Sequence, residues 1–62
     1  MTYVVTVGEA GSERGYHAVE EHRGDSAALR AARRRVCATY GRDGWWIVRD
    51  DYGREIGRGG RR

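Results

Sequence analysis

The chain has 62 residues, ten of them glycine and none proline, with twelve basic and nine acidic residues and a formal net charge of +3. A chain this short makes one domain, buries a small fraction of its surface and has no room for a deep catalytic cleft, so an enzyme is not expected. A single cysteine excludes an internal disulfide, and no apolar run reaches the roughly 18 residues of a membrane span, so the expected setting is the reducing cytoplasm with no membrane partner.

All twelve basic residues are arginine. Arginine forks grip phosphate bidentately, which is one reading of that choice. The other is coding bias in a GC-rich genome, with which the abundant glycine and alanine agree. The positive charge favours polyanionic partners, although the acidic residues are spread along the whole chain.

In chain order, Thr2–Val7 is a strand by its β-branched and aromatic content. Tyr3, Val5 and Val7 share one face, expected to lie under a helix; Thr2, Val4 and Thr6 share the other. Residues 8–15, with three glycines, form a hairpin loop. Their spacing fits neither a P-loop nor a dinucleotide fingerprint. Tyr16–Glu21 is a second strand at the sheet edge, where Glu20 and Glu21 would discourage further pairing.

Asp25–Tyr40 is the one clear helix. It is alanine-rich, Asp25 or Ser26 can cap it, and Gly41 follows where a left-handed terminator is wanted. At 100° per residue, Leu29, Ala32, Val36 and Tyr40 form a narrow apolar seam. Arg30 and Arg34 lie opposite, with Arg33 and Arg35 on the flanks.

Residues 44–50 are the third strand. Trp45, Ile47 and Arg49 share one face; Trp46, Val48 and Asp50 share the other. Asp50–Gly53 reads as a turn. Arg54–Arg58 is the return strand with Ile56 inward, and residues 57–62 are expected to be a flexible basic tail after a domain of residues 1–56.

The implied fold is α+β: ββαββ, a four-stranded antiparallel sheet in the order 2-1-3-4, with one helix on one face. The covered face is expected to hold Tyr3, Val5, Val7, Trp45, Ile47 and Ile56. That leaves Val4, Trp46 and Val48 open, as a partner or homodimer interface.

Arg30, Arg33 and Arg34, joined by Arg58, Arg61 and Arg62, are the candidate phosphate-binding set for a nucleic acid backbone. The same arginines also read as a solvated helix face or a surface for an acidic protein. No zinc-finger, RRM or KH signature accompanies them, so base-specific readout is not expected. His17, His22 and Cys37 lack paired ligand spacing, so neither a metal site nor a cofactor is expected. The pairs Glu20–Glu21 and Asp50–Asp51 diverge as chain neighbours, and no catalytic pair emerges.

The segments YVVTV, GYHAV and GDSAALRAARRRV, over roughly Tyr3–Val36, resemble the N-terminal part of the HicB antitoxin family. In that family a hairpin-like start leads through a Gly-Asp-Thr/Ser cap into an alanine-rich helix. The proline-containing segment usual before the cap has no counterpart here. The resemblance implies an inhibitor that binds a toxin protein and oligomerises. The reading is a small basic binding module, nucleic-acid-binding or regulatory, with a protein-interaction adaptor as the alternative.

Overall fold

The computed structural model describes residues 1–60, so Arg61 and Arg62 lie outside the described residues. The elements are β1 (Thr2–Gly8), β2 (Gly15–Glu21), α1 (Asp25–Tyr40), β3 (Trp45–Arg49) and β4 (Glu55–Gly59). The strands form one sheet in the order β2-β1-β3-β4, every neighbouring pair antiparallel. This is the expected ββαββ arrangement, with the helix packed on one face.

The register follows from the hairpin and the crossover. Val5 stands opposite Ala18 on β2 and Val48 on β3; Val7 stands opposite Tyr16 and Trp46. Because cross-strand partners share a face, β1 and β3 put Tyr3, Val5, Val7, Trp46 and Val48 under the helix. The helix answers with Ala28, Ala32 and Val36, while Leu29, Tyr40 and Ile56 close the margin. The two alanines let the helix axis approach the sheet closely.

This corrects the expected parity of β3. Trp46, 8% exposed, and Val48, fully buried, are core residues and not an open-face patch. Trp45 and Ile47 lie on the far face. Trp45 is buried there without a helix above it, at 2% exposure. Its indole lies over Gly8 and Gly15, and a Cβ on Gly8 would fall 2.3 Å from the ring. Its Nε1–H donates to the Ser12 carbonyl at 2.7 Å. The glycine-rich loop is thus a lid on a tryptophan.

Trp46 uses the same device on the other face. A Cβ on Gly59 would stand 2.5 Å from its Nε1, so the bare β4 backbone is what admits the indole beneath the helix margin. β4 runs to Gly59, and residues 57–59 are therefore strand rather than tail. A register shift opposite Val48 and Arg49 places Ile56 against the core.

The ends of α1 differ in how well they match expectation. Gly41 terminates it at φ 73°, and its N–H bonds the Cys37 carbonyl. At the start Gly24 is the cap residue and no side chain caps the helix. Asp25 is instead engaged by Tyr3, whose hydroxyl donates to Oδ1 at 2.7 Å.

Candidate nucleic-acid interface

The arginines of α1 divide into three kinds by what surrounds them. Arg30 and Arg34 sit one turn apart on the outermost face, both exposed. Neither has an ion-pair or hydrogen-bond partner among the described residues. Four helical residues advance roughly 6 Å along the axis, so the two guanidinium groups can meet separate phosphates.

Arg33 is exposed but leans inward, its guanidinium carbon 5.7 Å from the centre of a Trp46 ring. That cation–π contact shields the indole edge left at the helix margin while keeping the charge in solvent.

Arg35 is committed to the fold. It ion-pairs with Glu20 on β2, and His22 Nε2 lies 2.8 Å from the other oxygen of the same carboxylate. An ionised carboxylate only accepts, so Nε2 is the donor. Burial alone would raise the Glu20 pKa, but His22 and Arg35 outweigh it and hold the carboxyl below its ordinary value. This network ties the edge strand to the helix.

The remaining members of the predicted set do not join the helix face. Arg58 stands opposite Ile47, hence on the side of the sheet away from α1. There it is held by Glu55 through two hydrogen bonds of 2.9 and 2.6 Å. Glu55 raises the Arg58 pKa, and Arg58 in turn holds the Glu55 carboxyl below its ordinary value. Arg61 and Arg62 are outside the described residues. Val4 is half-buried on the open face beside Val19, while Trp46 and Val48 are core, so the three do not form one surface.

Two features escaped the sequence reading. One is the Tyr3–Asp25 bond, which pushes the Tyr3 pKa up to about 12, mainly through the Asp25 hydrogen bond and then through burial. The other is the set of donors that the Asp50 side chain gathers at the Asp50–Gly53 turn, which itself forms as expected. Asp50 Oδ1 accepts from the Tyr52 and Arg54 N–H groups at 3.0 and 2.9 Å, and the Arg54 guanidinium lies against Oδ2 at 3.3 Å. Burial would raise the Asp50 pKa; those donors and the Arg54 charge together bring it below its ordinary value.

Among the described residues no three His, Cys, Asp or Glu side chains converge as metal ligands, and no helix is long and apolar enough to cross a membrane. No family model, curated protein or solved structure matches this chain.

Proposed function

We propose that this chain is a small non-enzymatic module that binds nucleic acid through its phosphate backbone, in a regulatory or architectural role, using the outer face of α1. The observation that carries the reading is the division among its arginines. Arg35, Arg54 and Arg58 are consumed by internal carboxylates, whereas Arg30 and Arg34 stand exposed on one ridge with no partner among the described residues, and Arg33 lies beside them.

The chemistry such a ridge supports is charge neutralisation and bidentate gripping of phosphate oxygens. It has no built means of reading base edges. Neither tryptophan is available as a stacking platform, since Trp45 lies beneath the loop and Trp46 beneath the helix margin and β4. Binding should therefore be tolerant of sequence and steep in salt.

The test is a fluorescence anisotropy titration of labelled duplex DNA, single-stranded DNA and RNA at low and near-physiological salt. Saturable binding that weakens with salt, and is lost in Arg30→Glu/Arg34→Glu, is the expected result. No binding to any of the three at low salt would return the ridge to an ordinary solvated helix face. The adaptor reading built on Val4, Trp46 and Val48 loses its surface with the burial of Trp46 and Val48.

A further inference from the structure

We propose that β2 is a homodimer edge: two copies of this chain join by antiparallel pairing of Gly15–Glu21 across a two-fold axis at Ala18, making one eight-stranded sheet. The proposal rests on the geometry of β2 alone and is independent of nucleic acid binding.

The direction of the β2 backbone groups can be worked out. Met1 and His22 exchange two backbone hydrogen bonds, the N-terminal ammonium to the His22 carbonyl at 2.9 Å and the His22 N–H to the Met1 carbonyl at 3.0 Å. In an antiparallel ladder such pairs recur every second residue. Tyr3–Glu20, Val5–Ala18 and Val7–Tyr16 are then the bonded pairs between β1 and β2. It follows that Gly15, His17, Val19 and Glu21 aim their N–H and C=O groups outward, at the free edge.

The protection usual at such an edge is missing. β2 pairs with β1 over seven residues in unbroken register, with no proline and no bulge. The acidic residues that would repel another strand already have partners: Glu20 is held by Arg35 and His22, and Glu21 by the N-terminal ammonium and the Thr2 hydroxyl. Two of the largest exposed apolar side chains, Tyr16 at 67% and Val19 at 72%, stand on this strand. The opposite edge is shorter and less regular, since β4 has five residues and a bulge.

Self-complementarity selects a second copy as the occupant. Centring the dyad on Ala18 pairs the whole strand with itself, Gly15 against Glu21 and His17 against Val19 of the second copy. About eight main-chain hydrogen bonds result. Ala18 then occupies a non-bonded position, where Cα atoms come closest and a small side chain is needed. The antiparallel sense keeps the two Glu20–Glu21 ends apart and sets each beside the other copy's Arg14, which has no ion-pair partner among the described residues. A parallel copy would stack those glutamates on their counterparts. A two-fold axis normal to the sheet puts both helices on one face, with axes roughly 20 Å apart by the ~4.8 Å strand spacing.

Sedimentation equilibrium of the intact chain from about 5 to about 500 μM, with hydrogen exchange at both ends of that range, tests the proposal, since a single-strand interface is small and mass action governs it. A monomer–dimer equilibrium is expected, with the His17, Val19 and Glu21 amides protected only in the dimer. Val19→Pro removes an outward N–H without touching the β1 ladder, and should weaken dimerisation at least tenfold with the circular dichroism of the fold retained. If that variant does not fold, Val19→Lys at the same site should have the same effect. A monomer at every concentration overturns the proposal. So does a dimer whose three amides exchange freely, or protection that appears only when an unrelated strand-forming peptide is added.

Discussion

The Tyr3 hydroxyl and the Asp25 carboxylate meet at 2.7 Å, joining the second residue of the first strand to the first residue of the helix. The bond links residues 22 apart in sequence and fastens the start of the helix to the first strand, while the helix N–H groups have no side-chain cap. Tyr3→Phe keeps the buried ring and removes the donor, leaving the carboxylate of the exposed Asp25 to water and the strand without its tie to the helix. Its melting temperature should fall by several degrees, with native circular dichroism retained at 25 °C. The alkaline limb carries the same signature. The Tyr3 pKa is raised to about 12 from 10, so its stabilisation is complete below pH 10 and is lost as pH rises through the folded value. Tyr3→Phe should lose that part of the alkaline dependence. A variant that melts with wild-type temperature and wild-type alkaline profile would mean the bond does not form in solution.

Trp46→Ala should remove a large share of the chain's stability. Emptying a buried tryptophan site costs about 3–5 kcal/mol. A chain of this size has roughly 3–9 kcal/mol in total. Arg33 would lose its aromatic partner as well. A thermal transition lowered by well over ten degrees, or lost, is the expected observation. A Trp46→Ala protein that melts within a few degrees of wild type would put the residue back on the surface.

The loop over Trp45 offers a subtler test. Gly8→Ala drives a methyl into the indole at 2.3 Å, so the ring must leave its place and with it the hydrogen bond to Ser12. The chain should remain folded on its intact helix-side core, with tryptophan emission shifted to the red and faster trypsin cleavage after Arg14. Unchanged cleavage would show that the loop is not held by Trp45.

The helix, the strand order and the outward arginines were legible in the sequence because each is announced by periodicity: alanine and leucine at helical spacing, alternating valines in β1, arginines clear of the seam. The face of β3 was not. Trp45-Trp46-Ile47-Val48 is apolar at every position, so no polar residue marks the outside. The available mark lay in the glycines. Gly8 and Gly15 leave space on one face, Gly57 and Gly59 on the other, and each tryptophan fills the vacancy next to it. Which arginines are consumed was equally hidden, because Glu20 meets Arg35 only after the hairpin and helix have folded together.

Acid should weaken the fold in a defined window. Glu20, Glu21, Asp50 and Glu55 all have carboxyl pKa values held below their ordinary ones by cationic or N–H partners. A depressed carboxylate contributes stability that is complete above its unfolded pKa and disappears as pH falls through the folded one. The melting temperature should therefore be level from pH 7 to about pH 5 and decline below about pH 4.5. Glu20→Gln should flatten part of that decline while lowering the plateau, since Arg35 loses its counter-ion. A melting temperature constant down to pH 3 would mean these pairs add nothing to the fold.

The ridge itself is best tested by contrasting two kinds of arginine. Arg30→Glu/Arg34→Glu alters exposed side chains with no partner among the described residues, so the melting temperature should scarcely move. Affinity for duplex DNA should fall at least tenfold at low salt. Each phosphate contact contributes about 0.9 to the slope of log affinity against log salt, so losing both contacts should flatten it by about 1.8. Arg35→Ala is the opposite case. It breaks the bridge from helix to edge strand and should lower the melting temperature while leaving affinity and salt slope near wild type at temperatures where the variant is folded. Because arginine stays charged throughout, wild-type affinity should also be flat from pH 7.5 to pH 9. If Arg35→Ala weakens binding as much as the double reversal does, the phosphate contacts are not on the outer ridge. If neither weakens it, the nucleic acid is held elsewhere.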